Sequence, residues 1–195
     1  ERHPKVRIPS WEGVGLPVHR AVLEGRADIG LTTPPPINSD LRYRPLLRDE
    51  IVLVCRTDDM LARREEHDWS IFAARAFISP STETGLRAMI DQALDQAGVS
   101  ANPLLDCKQP TTIGALVNAG LGIAALSRLT LAQLDSPVLA YRKLRNPNVA
   151  RSIGVVTHAA RSLAPAARLF LKELDAQARR LSPSIDGQPH TAAPG

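Results

Sequence analysis

The sequence predicts an α/β fold with two lobes, each built on a mixed, mainly parallel sheet with flanking helices. Three observations support this fold class. Short apolar runs alternate with amphipathic helical segments, which is typical of parallel strands joined by crossover helices. The pattern occurs in two successive sets, and one last strand and helix follow the second set. If that last pair returns to the first set, the result is two lobes joined by crossing strands with a cleft between them.

The first set begins with residues 6–8, which alternate as a short strand. Pro17 suits the first turn of a helix, and Gly25 is placed to end it. Residues 27–31 are again strand-like. Residues 50–55 are the most apolar strand of the chain, and their two-sided hydrophobicity indicates burial on both faces.

The second set repeats the alternation after a polar stretch, residues 56–68, that we interpret as a surface connection. The predicted elements are a strand at 76–79, a helix at 86–97, a strand at 104–105, a helix capped by Thr111 or Thr112 and ending at Asn118, and a strand at 123–126. The final strand covers residues 153–156, and Ser162 is positioned to cap a helix that runs to Leu181.

These elements predict the division of the chain. Lobe I is expected to comprise residues 1–74 and 150–181, and lobe II residues 75–149. Residues 182–195 are rich in Ser, Pro, Gly and Ala, so we predict a disordered tail there.

Composition excludes several classes of protein. Of the 195 residues 44% are hydrophobic and 23% charged, which is typical of a globular protein, and no apolar run is long enough to span a bilayer. The net charge is +4, but the basic residues are interspersed with acidic ones and form no cluster. This pattern argues against a nucleic-acid surface. Cys55 and Cys107 lack ligand spacing, so we predict two small buried residues in a reducing cytoplasm.

Three phrases of the sequence resemble the effector-binding domain of LysR-type transcriptional regulators. Residues 22–31 resemble its "L..G..D.ai" segment, residues 45–54 its "pL..e.lvlv" segment, and residues 116–124 its "lV.aGlGia" segment. Ser127 departs from the family pattern, which has proline there. The chain opens on residues similar to the end of that domain's first helix. The first strand and helix, and the winged helix-turn-helix, are therefore expected to lie outside the sequence.

The resemblance implies a fold like the type 2 periplasmic-binding proteins. It also implies a small-molecule effector, often an organic acid or amino-acid metabolite, bound between the lobes. No cofactor is expected, and the residues themselves predict no metal site and no membrane span. Dimers are expected through this domain and tetramers in the full protein, with DNA contacted only by the N-terminal domain. The effector would shift the populations of assembly geometries by binding one arrangement more tightly.

An acid bound in a cleft needs hydrogen-bond donors: hydroxyls, helix N-terminal amides or one well-placed cation. Loops that follow predicted strands supply such groups. The candidate effector-binding residues are Gly15, Thr32, Thr33, Ser79, Ser81, Thr82, Lys108, Gln109, Thr111 and Ser127.

Each candidate has a structural alternative. The hydroxyls of residues 79–84 also suit helix capping, Thr32 and Thr33 a polar turn before prolines, and Lys108 a solvated surface. Gly15 leaves room for a ligand or merely permits a turn.

Two other classes of protein share this kind of fold. An enzyme is disfavoured because no HExxH, GxSxG, P-loop or GxGxxG motif occurs. A secreted solute-binding protein would bind a ligand without a link to DNA, and the LysR-like phrases argue against it. A helix-turn-helix made of the helix that ends at Gly120 and a recognition helix at residues 122–134 is rejected. Residues 122–126 are apolar, whereas a recognition helix presents polar and basic residues to DNA bases.

Overall fold

The structure is a computed structural model that describes residues 8–13, 15–131, 134 and 136–187, with side chains described as far as residue 179. The helices in this part are α1 (Leu16–Leu23), α2 (Ile71–Ala74), α3 (Gly85–Gln96), α4 (Pro110–Asn118), α5 (Arg128–Leu131) and α6 (Pro165–Gly187), with a short 3-10 helix at Met60–Arg63. The strands are β1 (Gly30–Thr32), β2 (Leu41–Arg56), β3 (Glu66–Asp68), β4 (Phe77–Pro80), β5 (Pro103–Cys107), β6 (Ile123–Ser127), β7 (Leu139–Arg145) and β8 (Ala150–His158).

The described chain divides into two compact units. The first contains residues up to 48 together with 151–186, and the second contains residues 49–150. In the first unit β1 is antiparallel to β8, and β8 lies beside β2. In the second unit β4 is parallel to both β5 and β6, β3 is parallel to β7, and β2 is antiparallel to β6 and β7.

The first unit is organised by α1 and its short core. Pro17 occupies the first turn of this helix, where its missing N–H costs nothing. The buried face of α1 contributes Val22 to a cluster with Leu41 and Val156. Gly25 follows the helix in the left-handed region (φ +73°), which glycine adopts without strain. The start of this helix was predicted from Pro17 and its end from Gly25.

The core of the second unit surrounds the later part of β2. Ile51 and the four residues after it are all buried, which confirms the two-sided burial predicted for this strand. The helices α3 and α4 each bury one apolar face against the same core. An aromatic row of Trp69, Phe72 and Phe77 packs with ring centroids 5.6 and 4.8 Å apart.

The boundary between the units differs from the predicted one. Residues 49–74 belong to the second unit, whereas the sequence placed them in lobe I. The physical reason is long-range pairing: β2 pairs with β6 and β7, and Trp69 and Phe72 pack in the second unit's core. The expected surface connection at residues 56–68 contains the 3-10 helix and β3.

Several predicted ends also shift. The cap of α4 is Gln109, because Pro110 takes the first helical position and Thr111 lies within the helix. The final helix starts at Pro165 rather than at Ser162, and it continues to Gly187, beyond the expected end at Leu181. Residues 6 and 7 of the predicted first strand, and residues 188–195 of the predicted tail, lie outside the described residues.

The two cysteines are free and differ in environment. Burial, reinforced by the nearby Asp59 carboxylate and opposed by Arg142 and Arg75, raises the pKa of the Cys55 thiol to about 11. A thiol reacts as its thiolate. At pH 8 we therefore expect a colorimetric thiol reagent to label half-buried Cys107 well before Cys55, with both thiols reacting once the chain is unfolded in urea. Equal labelling rates in the folded chain would contradict the burial of Cys55.

Candidate functional site

Three parallel strands of the second unit end side by side. Because β4 lies between β5 and β6 and is parallel to both, their carboxyl ends share one edge, which we term the carboxyl edge. The strands end at Pro80, Cys107 and Ser127, and a helix begins within a few residues of each. In α/β folds such an edge is a favoured ligand site, because polar loops and helix N-termini converge there.

The predicted serines lie in the loop after β4, close to the neighbouring strand. Ser79 is fully buried, and its Oγ donates to the Pro80 carbonyl at 3.1 Å. The Ser81 amide donates to the Cys107 carbonyl of β5 at 2.9 Å, and its Oγ accepts a long bond (3.4 Å) from the Glu83 amide. Within the described ranges no group accepts the Ser81 hydroxyl proton, which is therefore available to a ligand.

The capping of α3 falls to Thr84, which was not among the predicted site residues. Its Oγ1 accepts a hydrogen bond from the Arg87 amide at 3.3 Å and donates to the Ser81 carbonyl at 2.7 Å. Thr82 is exposed on the loop. Of the hydroxyls at residues 79–84 that could cap the helix, it is therefore Thr84 that caps α3.

Arg87 clamps this loop from the first turn of α3, and sequence reasoning missed it. Its side chain is only 14% exposed, and its guanidinium contacts Asp91 at 2.7 Å and Asp106 of β5 at 2.8 Å. It also donates to the Pro80 carbonyl at 3.4 Å. Burial lowers the pKa of Arg87, but its hydrogen bonds and charge contacts with Asp91 and Asp106 outweigh this and raise it. The i, i+4 spacing to Asp91 was the only sequence signal for this clamp.

Replacing Arg87 with methionine should lower the free energy of unfolding by roughly 1–2 kcal/mol, because two carboxylates and a carbonyl lose a charged donor. Urea unfolding followed by circular dichroism measures this loss. The matched control is Lys108→Met, whose partner Glu83 lies 2.9 Å away with both side chains 70% exposed. An ion pair so exposed contributes little, so equal losses in the two variants would contradict the assigned role of Arg87.

The loop after β5 carries three predicted residues. Lys108 reaches towards the loop after β4 through its ion pair with Glu83. Gln109 is exposed at the N-cap position of α4, and its side chain makes no capping hydrogen bond there. Thr111 is exposed in the first turn of α4. The structure thus brings Lys108 to Ser81's loop and leaves Gln109 and Thr111 on the surface.

Ser127, at the end of β6, faces a buried carboxylate. Its Oγ donates to Oδ2 of Asp49 at 2.7 Å, and both residues are fully buried. The Leu129 amide donates to the other oxygen of Asp49 at 2.9 Å. Ser127 therefore anchors the first turn after β6 through Asp49. The sequence did not single out Asp49, which lies between the charged residues Arg48 and Glu50.

The first unit holds the remaining candidates around the start of α1. Gly15 caps this helix with φ +64°, and its amide donates to Oγ1 of buried Thr32 at 3.2 Å. The carbonyl of Thr33 lies 3.0 Å from Nε2 of His19, a buried residue in the helix. The three predicted residues of this unit therefore lie close together, and His19, which was not predicted, lies beside them.

The family described as "LysR substrate binding domain" matches residues 1–179. The chain belongs to this family. This match confirms the family that the sequence predicted.

Curated relatives of this LysR substrate-binding domain are named as regulators. It is 26% identical over 188 residues to "Uncharacterized HTH-type transcriptional regulator YfeR" of Shigella flexneri, covering 96% of the chain and 61% of the relative. It is 26% identical to YbhD of Escherichia coli (strain K12), named in the same way, covering 87% of the chain and 54% of the relative. The chain therefore spans little more than half the length of these relatives.

Solved structures share its fold. The CcmR regulatory domain of Synechocystis PCC6803 in complex with 2-PG is 22% identical, with a TM-score of 0.73 over 87% of this chain and 82% of that one. The effector binding domain of QuiR in complex with shikimate is 18% identical, with a TM-score of 0.74 over 93% and 86%. This likeness confirms the predicted two-lobed, periplasmic-binding-protein-like α/β fold class.

None of the helices in the described ranges combines the length and apolarity that crossing a bilayer requires.

Proposed function

We propose that the chain is the metabolite-sensing part of a cytoplasmic transcriptional regulator and that it binds a small anionic effector. Its family, the regulator names of its relatives and the bound molecules of CcmR and QuiR support this role. Because the chain covers only 54–61% of those relatives, DNA binding is assigned to a helix-turn-helix elsewhere in the complete protein. Dimerisation through this domain and a tetrameric complete protein belong to the same proposal.

The carboxyl edge of the second unit is the single observation that carries the proposal. Ser81 offers a hydroxyl proton there, and the loop enters the N-terminal turn of α3, whose dipole favours an anion. Lys108 is an exposed cation beside this loop, whereas Arg87 is held by Asp91 and Asp106, so an anionic effector would compete with Glu83 for Lys108. Within the first unit, the candidate contacts are Gly15, Thr32 and Thr33.

In this proposal the chain binds its effector and does not convert it chemically. The effector should therefore be recovered chemically unchanged after prolonged incubation with the protein, as judged by mass spectrometry. Formation of a product would favour the rival interpretation, in which the fold serves an enzyme.

A thermal-shift screen of small carboxylates, with shikimate and 2-PG included, tests the sensing role. A ligand at about 100 times its dissociation constant should add about 2.7 kcal/mol to the free energy of unfolding. Stabilisation by none of these acids would contradict an anionic effector.

Replacing Ser81 with alanine should weaken the binding of such an acid by roughly three- to tenfold, because one hydrogen bond is lost. The fold should persist, since among the described residues the Ser81 hydroxyl makes only the long bond to the Glu83 amide. Isothermal titration measures the affinity. Ser100→Ala is the matched control, because Ser100 is exposed and precedes β5 at the opposite edge of the sheet. Equal affinities of the two variants would remove Ser81 from the site.

A further inference from the structure

The imidazole of His19 is buried with its two nitrogens in different situations. Only 5% of the residue is exposed. Its Nε2 lies 3.0 Å from the carbonyl oxygen of Thr33. Its Nδ1 is buried and has no hydrogen-bond partner within the described part of the chain.

The Thr33 carbonyl fixes the tautomer of this ring. A carbonyl oxygen only accepts, so Nε2 must carry the proton and donate it. In the neutral ring Nδ1 is then an acceptor with a free lone pair. Leaving a buried polar atom unpaired costs about 1–3 kcal/mol, so such an atom requires an explanation. The group that would satisfy Nδ1 is an O–H or N–H donor.

The position of His19 connects it with the first unit's candidate residues. Side chains of a helix lean towards its N-terminus, so the ring leans towards the Gly15 end of α1. Gly15 is bonded to Thr32 there. A Cβ added to Gly15 would meet no atom of the described chain within 4 Å, so there is room beside the start of the helix.

We propose that Nδ1 of His19 accepts a hydrogen bond from an O–H or N–H group of the effector, while Nε2–H holds the Thr33 carbonyl. This inference rests on the proposed sensing function and narrows its ligand class. The effector carries a hydroxyl, amide or ammonium donor in addition to its acidic group. Simple unsubstituted diacids lack the donor that this nitrogen requires.

The state of the ring can be read directly by NMR of the chain labelled with ¹⁵N-histidine. The sequence contains five histidines, and the resonances lost in His19→Gln assign those of His19. Because Nε2 faces the Thr33 carbonyl, we expect Nε2 to carry the proton and Nδ1 to be bare in the ligand-free chain. A protonated Nδ1 in the ligand-free chain would overturn the inference.

Matched probes then test the contact. L-malate and shikimate carry hydroxyls beside a carboxylate, whereas succinate has the same chain as malate without the hydroxyl. We expect at least one hydroxyl-bearing probe to move the Nδ1 resonance and succinate to leave it unchanged. A Nδ1 resonance that no probe moves would overturn the inference.

Two substitutions separate contact from positioning. Gln places an amide near the Nε2 position and keeps a donor for Thr33, whereas Asn places its amide near the Nδ1 position and gives up the bond to Thr33. His19→Gln should weaken the hydroxyl-bearing probe by about three- to tenfold and leave succinate unaffected. The His19→Asn variant should recover part of the affinity that His19→Gln loses.

The outcomes distinguish this inference from the sensing function on which it rests. If wild-type and His19→Gln chains bind malate or shikimate equally, the sensing function stands and the role of Nδ1 fails. An equal loss for malate and succinate in His19→Gln assigns the histidine a structural role only, which also overturns the inference. If no acid of the panel stabilises the chain and Nδ1 stays bare, both proposals fail together.

Discussion

Replacing Trp69 with alanine should lower the free energy of unfolding by about 3–5 kcal/mol, the range for truncating a large buried aromatic side chain. Trp69 is fully buried. Its ring packs against Phe72 at 5.6 Å, and Phe72 packs in turn against Phe77 of β4 at 4.8 Å. The indole N–H donates to the Pro147 carbonyl at 2.8 Å, so truncation also removes a hydrogen bond.

Trp11→Ala is the matched control for this experiment, because the chain's other tryptophan is 48% exposed. Its loss should change the free energy of unfolding by no more than about 0.5 kcal/mol. Trp69→Phe keeps most of the packing and loses the indole donor, so an intermediate loss of about 1–3 kcal/mol is expected. Urea titrations followed by far-ultraviolet circular dichroism give all three values. Similar midpoints for Trp69→Ala and Trp11→Ala would contradict the place of Trp69 in the core.

The same aromatic row shows what the sequence could not predict. Local sequence signals identified α1, α3, the buried part of β2 and β6. Helical spacing, helix-end residues and continuous apolar runs each lie within a few neighbouring positions. The strands β3 and β7 gave no such signal, and their pairing joins residues 66–68 to residues 143–145. Partners so far apart in sequence are set by tertiary packing rather than local propensity. Residues 49–74 were therefore assigned to the wrong unit.

In the candidate site too, local features were predictable from the sequence and long-range contacts were not. The loop of hydroxyl residues after β4 was predictable, because a strand followed by Ser, Thr and a helix is visible locally. The residues that hold the loop were not. Arg87 contacts Asp106, 19 positions away, and Ser127 contacts Asp49, 78 positions away. His19 escaped notice because its burial and its bond to Thr33 depend on where α1 packs.

The structure explains why the phrase at residues 116–124 contains two glycines, Gly120 and Gly122. Gly120 has φ +80°, where residues with a side chain are strained, so the glycine that ends α4 has a conformational role. Gly122 lies two residues later and does not adopt a positive φ. The family-like phrase at residues 116–124 thus contains glycines of two kinds, one required by backbone conformation and the other by close approach.

Replacing Gly122 with alanine should therefore destabilise the chain by about 1–3 kcal/mol, because there is no room for a Cβ. An added Cβ would collide with the carbonyl oxygen of Ala76 and lie 2.9 Å from its carbonyl carbon. These are main-chain atoms that cannot turn aside as the end of a flexible side chain can. The same carbonyl accepts the hydrogen bond from the Ile123 amide at 2.9 Å, so a shift would strain the start of the β4–β6 pairing.

Gly85→Ala is the control that separates close approach from the mere loss of a glycine. A Cβ at Gly85 would meet no atom of the described chain within 4 Å, and its φ is not positive. Alanine in this first turn of α3 should be neutral or stabilise by about 0.4–1 kcal/mol. Urea unfolding should thus move the two variants in opposite directions. Since Gly122 and Ala76 precede β6 and β4 at the edge opposite the candidate site, the folded Gly122→Ala chain should retain its affinity for the effector. If the Gly122→Ala chain folds fully but binds the effector more weakly, the separation of β4 and β6 at this end also affects the geometry of the carboxyl edge.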